Sequence, residues 1–121
     1  KSGLETDMDF FQLYKVVYCI VDNAVYWTKS TITEIDRRRV KISVEEEAGC
    51  IVISNAGTKV DPSMVKASLN GFEFTTTKSD NSLGIGLWLS NATMREYGGS
   101  VVHLDEQDPF FRPNVSYKIS L

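Results

Sequence analysis

The stretch Gly71-Phe-Glu-Phe-Thr-Thr-Thr-Lys-Ser-Asp-Asn-Ser-Leu-Gly-Ile-Gly-Leu-Trp-Leu-Ser90 decides how the chain is read. A polar segment rich in small side chains runs straight into a glycine-punctuated helix start. Gly84 and Gly86 remove side chains where backbone must come close to something. The helix that follows directs its free N–H groups and the positive end of its dipole at the same place. That arrangement holds an anion, commonly a phosphate. Thr75, Thr76, Thr77 and Lys78 add hydroxyls and one cation beside it. A Gly-x-Gly at a helix start also fits a helix packed closely on a sheet, so the flanking sequence has to separate the two.

Immediately upstream, Asp61 followed by Pro62 predicts an N-cap with proline at the first helical position, and a short helix to about Asn70. Before it, Asn55 to Lys59 is a turn. Arg38 to Glu45 alternates, with Val40, Ile42 and Val44 on one side, which predicts a half-buried strand. A turn over Glu46 to Gly49 leads into a more apolar strand, Cys50 to Ser54, completing a hairpin. The basic run Arg37, Arg38 and Arg39 fits a solvated strand start or a contact to a partner domain. Earlier still, Asp9 with Gln12 resembles a capping box. Phe10, Leu13, Tyr14, Val17, Ile20, Val21 and Ala24 follow at helical spacing, predicting a helix to about Thr28 with one buried face. Lys29 to Asp36 reads as a loop.

Downstream, Ile85, Trp88, Leu89 and Ala92 are expected on one face of the third helix, which ends at Gly98-Gly99. Val101 to Leu104 is a strand and Asp105 to Pro113 a loop. Val115, Tyr117, Ile119 and Leu121 alternate into a closing strand. Residues 1–9 read as a linker or the end of a preceding helical element, and residues 10–121 as one domain. Strands in adjacent pairs with helices between them predict an α+β fold, a mixed, mostly antiparallel sheet with helices on one face. No Gly-rich turn follows the first strand and no GxxxxGK[ST] is present, so the chain is neither a Rossmann unit nor a P-loop protein.

The composition agrees. The 121 residues are 42% hydrophobic and 24% charged, with a net charge of −3. That is enough chain for a real core, and it offers no general nucleic-acid or membrane surface. A polyanionic ligand would need local cations, for which Lys59 and Lys78 are the candidates. Cys19 and Cys50 lie in apolar runs, which fits two buried thiols in a reducing cytoplasm better than a disulfide. No Cys/His spacing suggests a metal-thiolate site. No apolar run is long enough to span a bilayer.

Three pieces fall into one order: Asp22-Asn23-Ala24 followed by Tyr26-Trp27; then Asn55-x-Gly57-x-x-Val60; then Phe74-Thr75-Thr76-Thr77-Lys78 leading to Gly84-x-Gly86-Leu87. This order resembles the GHKL superfamily of gyrase, heat-shock chaperones, histidine kinases and mismatch-repair MutL, and is most similar to the histidine-kinase catalytic domain. The likeness covers essentially Phe10 to Leu121. It implies the Bergerat fold, a two-layer α/β sandwich with ATP between helices and lid. Asn23 matches the family's asparagine that ligates Mg²⁺, an oxygen donor suited to a hard cation. Asn55 stands where most members have the aspartate that accepts from the adenine amino group, and an amide oxygen retains that ability. Gly57 keeps the first glycine of that box, while Lys59 replaces the second. Trp27, one turn beyond Asn23, matches an aromatic near the adenine. Phe74, Thr76, Thr77, Lys78, Gly84, Gly86 and Leu87 match the lid and phosphate segments, Val60 the second box, and Ser116 a small hydroxyl near the adenine.

The departures carry chemistry. Cys19 lies where hydrolysing relatives have a glutamate base, and Tyr26 where many kinases have a phosphate-holding lysine. The likeness therefore implies ATP binding with Mg²⁺ and slow hydrolysis. It also implies transfer of the γ-phosphoryl to a histidine on a separate dimerisation domain, with a response regulator downstream. A cytoplasmic site follows, the full-length protein being free to carry a membrane anchor. His103, among Val101, Val102 and Leu104, reads as structural, so the phosphoacceptor lies outside the chain and no catalytic residue is assigned within it. Two other outcomes are a nucleotide-sensing module without catalysis and a serine kinase of the anti-sigma type.

Overall fold

A computed structural model describes residues 5–58, 61–70, 86–105 and 114–121. Helix α1 spans Phe10–Thr31, a short 3-10 turn Ile35–Arg37, strand β1 Val40–Glu45 and strand β2 Cys50–Ala56. Helix α2 spans Pro62–Asn70, helix α3 Gly86–Glu96, strand β3 Ser100–Leu104 and strand β4 Asn114–Ser120. The strands hydrogen-bond in the order β1-β2-β4-β3, and every pair is antiparallel. The expected mixed sheet is thus antiparallel throughout among the described residues. The α+β two-layer arrangement is as expected.

Register decides which side chains meet the helices. Ile53 lies opposite Tyr117, Asn55 opposite Val115 and Ile51 opposite Ile119, while Val101 lies opposite Ile119 across the other ladder. These residues share the face that closes on α1 and α3. With Val16 and Ile20 of α1, Leu69 of α2 and Met94 of α3 they form the core. Met8, ahead of α1, also reaches it at 8% exposure. On the edge strand β1, Val40 packs on the core but the rest of the strand extends past the helices. Ile42 and Val44 sit on the core side by register yet remain 54% and 55% exposed.

The faces of two helices differ from those expected. The buried stripe of α1 is Val16, Ile20, Asn23, Ala24 and Thr28, whereas Phe10 and Tyr14, expected in the core, are 69% and 58% exposed. Apolar residues lie on both sides of α1, so hydrophobicity alone could not choose the inward side. In α3 the buried residues are Ser90, Asn91 and Met94, and Leu89, expected inside, is 44% exposed. Asn91 explains the inversion. Its Nδ2 donates to the Leu69 carbonyl of α2 at 3.0 Å, and its Oδ1 accepts the Val101 N–H of β3 at 3.0 Å. One buried amide thus joins two helices and a strand, satisfying groups that would otherwise be orphaned.

The ends of the elements follow local chemistry. Asp61 Oδ1 accepts the Ser63 N–H at 3.0 Å and the Ser63 hydroxyl at 2.9 Å, which caps α2 and lowers the Asp61 pKa. Helix α3 ends in a Schellman motif: Gly99 N–H donates to the Met94 carbonyl at 2.9 Å and Gly98 N–H to the Arg95 carbonyl at 3.1 Å. Gly98 takes φ +82° there, which glycine adopts without strain. The hairpin turn before β2 uses Gly49 at φ +66°. Both cysteines are free. Cys50 is buried and donates to Glu45 Oε2 at 3.3 Å; desolvation, then that carboxylate, push its pKa up. Cys19, expected to be buried, is half-buried.

Candidate functional site

Two threonine hydroxyls tie the last turns of α1 to the sheet, one at the exit of β2 and one at the approach to β1. Thr31 Oγ1 donates to the Trp27 carbonyl at 2.6 Å and accepts the Thr58 N–H at 3.2 Å. Thr28 Oγ1 accepts the Arg39 N–H at the approach to β1, also at 3.2 Å. Gly57 lies inside this clasp. A Cβ there would stand 2.6 Å from Thr31 Oγ1, 3.2 Å from Asn55 Nδ2 and 3.4 Å from the Trp27 carbonyl. Glycine is required at this point because helix and strand end touch. The end of α1 at Trp27 is thereby brought to Asn55 and Gly57 at the exit of β2.

Asn55 is 1% exposed on the helix side of β2. Its Nδ2 donates to the Ala56 carbonyl at 3.2 Å. Its Oδ1 is buried and has no partner among the described residues. The single hydrogen bond fixes which way the amide points, so the atom left over is an acceptor. A buried acceptor without a donor costs about 1–3 kcal/mol, and a ligand N–H would remove that cost.

Asn23 is 9% exposed on the inward stripe of α1. Its side chain lies against the hydroxyl of Tyr117, and its Nδ2 completes no hydrogen bond among the described residues. Tyr117 is pushed up to about 12 by burial, and the neighbouring Asn23 amide pulls it partly back. Tyr117 therefore stays a neutral phenol at any physiological pH. Ser90 of α3 supplies a third buried polar atom, its Oγ, without a partner among the described residues.

Of the other expected site residues, Ser116 falls elsewhere. Ser116 Oγ shares a 2.8 Å hydrogen bond with Ser54 Oγ. Because Ser116 lies opposite Ser54 and Val115 opposite Asn55, the two serines occupy the sheet face turned away from Asn55. The structure does not bring Ser116 to Asn23 and Asn55; Val115 is the β4 residue beside Asn55. Strand alternation has a period of two, so a shift of one residue changes the face completely. Gly86 opens α3, and a Cβ there would meet nothing within 4 Å among the described residues. Leu87 is half-buried and packs on the core. Trp27 packs edge-on to Tyr26 at 5.4 Å between ring centroids. Val60, Phe74, Thr76, Thr77, Lys78 and Gly84 lie outside the described residues, as do Lys59 and Thr75.

Sequence reading alone missed Tyr117, Val115, Thr28 and Thr31. The signal for the threonines was present: two β-branched hydroxyl residues close a helix whose interior they would not favour. The cleft lined by Glu5, Asp7, Phe10 and Leu13 lies roughly 15 Å along α1 from Asn23 and is separate from this site. Among the described residues no group of three His, Cys, Asp or Glu side chains is placed to hold a metal ion, and no helix is long and apolar enough to cross a membrane.

The geometry presents an uncharged acceptor deep between helix and sheet, with a second amide on the inward stripe of α1 against Tyr117, the makings of a site for a neutral ring bearing an amino group. Compared with known families, residues 8–114 match the model of the histidine kinase-, DNA gyrase B-, and HSP90-like ATPases. No curated protein is matched by the chain. The match spans most of the 121 residues, and the chain belongs to the histidine kinase-, DNA gyrase B-, and HSP90-like ATPase family as a GHKL-type ATP-binding domain.

Proposed function

We propose that the chain is the catalytic, ATP-binding part of a sensor histidine kinase, transferring the γ-phosphoryl of ATP to a histidine on a separate dimerisation domain. The observation that carries it is the Asn55 amide, held by the Ala56 carbonyl with its buried Oδ1 awaiting a donor. The exocyclic amino group of adenine is such a donor, whereas guanine offers a carbonyl at the same ring position. Transfer is favoured over hydrolysis by Cys19, which stands one turn before Asn23 where a water-activating carboxylate would be needed. A thiol is a poor general base for water at neutral pH.

Asn23 fits an oxygen-preferring cation by its donor chemistry. Magnesium keeps several waters and binds through few protein ligands plus phosphates, which suits a site whose described residues offer no acidic cluster. When bound, Mg²⁺ would supply charge neutralisation at the phosphates. The remaining contribution is positioning. An imidazole nitrogen of the acceptor domain attacks the γ-phosphorus, the bond to the β-phosphate oxygen breaks, and ADP leaves. The imidazole proton passes to a base on the acceptor domain.

The test supplies the chain and its dimerisation domain with γ-labelled ATP and follows the label through acid and base. Label lost in acid and kept in base is expected. Label that survives acid points to a serine kinase. ATP binding without transfer points to a nucleotide-sensing module.

A further inference from the structure

We infer that two copies of this chain associate by packing the outward faces of their α1 helices against one another, antiparallel. Helix α1 buries one stripe in its own core, yet its opposite side is also apolar. Phe11, Tyr14, Tyr18 and Val25 are 69%, 58%, 59% and 40% exposed, with the half-buried Val21 between them. Their positions advance by three, four, three and four residues, which is the seam of a helix that packs on another helix. The helix's own core does not require this second stripe. The aromatic part is already ordered: the rings of Phe10 and Tyr14 lie 6.2 Å apart, and those of Tyr14 and Tyr18 stack at 6.1 Å. Little side-chain freedom is left to lose on docking.

Charge selects the occupant. Lys15 and Asp22, both exposed, follow one another by a heptad along the same flank of the seam. Setting Tyr18 of one copy against Val21 of the second, antiparallel, also sets Tyr14 against Val25. On the flank it places Lys15 opposite Asp22, and the two-fold axis repeats every contact. The surface is therefore complementary to itself, the condition for a closed symmetric dimer. A parallel pairing would set this flank against the positions of Phe10, Val17 and Ala24, which carry no charge to answer it. The seam from Phe11 to Val25 covers roughly 21 Å of helix, so the contact belongs with small, reversible interfaces.

The experiment is sedimentation equilibrium of the 121-residue chain from micromolar to millimolar concentration, with circular dichroism confirming that each variant folds. A monomer–dimer equilibrium is expected. Lys15→Asp and Asp22→Lys, alone, each create two like-charge contacts and should weaken the dimer by about tenfold or more. The variant carrying both exchanges should return to within about threefold of the parent, because the pairs are restored with their signs reversed. Tyr18→Glu should abolish association while leaving the fold intact. A chain that stays monomeric throughout, a double exchange no better than the singles, or a dimer indifferent to Tyr18→Glu would each overturn the inference.

Discussion

Asn55 shows how much one amide orientation can decide. With Nδ2 engaged by the Ala56 carbonyl, only the acceptor faces the site, and acceptor strength sets base preference. Asn55→Ala should weaken adenine nucleotides about tenfold, the worth of one hydrogen bond, and narrow the preference over guanine nucleotides. Asn55→Asp should bind adenine nucleotides at least as well through charge assistance, while lowering stability without nucleotide by about 1 kcal/mol, since the Ala56 carbonyl loses its donor. Calorimetry and urea unfolding separate the two effects. Tyr117 makes a second residue-scale case. Its pKa of about 12 in the folded chain lies above the ordinary value near 10, so the folded state holds this proton more tightly. The stabilisation is fully present below about pH 10 and is lost as pH rises towards 12, at about 1.4 kcal/mol per unit. Urea unfolding between about pH 10 and 12 should show that slope, and Tyr117→Phe should flatten it.

At the scale of elements, buried polar groups position what hydrophobic packing alone leaves loose. Asn91 holds α2, α3 and β3 together through two 3.0 Å hydrogen bonds. Asn91→Leu keeps the branching, adds bulk and strands the Leu69 carbonyl and the Val101 N–H, so a loss of about 2–4 kcal/mol is expected. The end of α3 is equally specific. Gly98→Ala has open space and meets only the cost of a positive φ, about 1 kcal/mol. Gly99→Ala drives its Cβ into the Ser120 carbonyl, with no flexible side chain to yield, and should cost more. Denaturant midpoints of the three variants should rank in that sense, with Gly98→Ala the mildest.

For the whole molecule, the site lies where α1 crosses the exits of the central strands, so nucleotide should stabilise the fold and not a single loop. A ligand at a hundred times its dissociation constant adds about 2.7 kcal/mol to unfolding. Thermal unfolding with ADP and Mg²⁺ should therefore shift upward. Asn23→Ala should lose the magnesium-dependent part of that shift more than the magnesium-independent part. Equal loss of both would contradict its assignment as the cation's ligand.

Element types, their order and the family were legible in the sequence because they rest on local signals. Helical and strand periodicities, Asp61 before Pro62, Gly98-Gly99 after a helix, and the short motifs around Asn23, Asn55 and Gly86 are each read over short windows. Which way each element faces was not local. Tyr14 and Val17 have similar claims to the core on composition, and only the packing of α1 against β2 and α3 turned Asn23 and Thr28 inward and left Phe10 and Tyr14 outside. Ser116 and Val115 are neighbours in the chain, but the β2–β4 register alone decides which of them stands beside Asn55. The partners of Asn91, twenty-two residues upstream and ten downstream, likewise exist only once helices and sheet have closed. A side chain's chemistry is written at its own position, whereas its burial and its partners depend on surfaces contributed by distant parts of the chain.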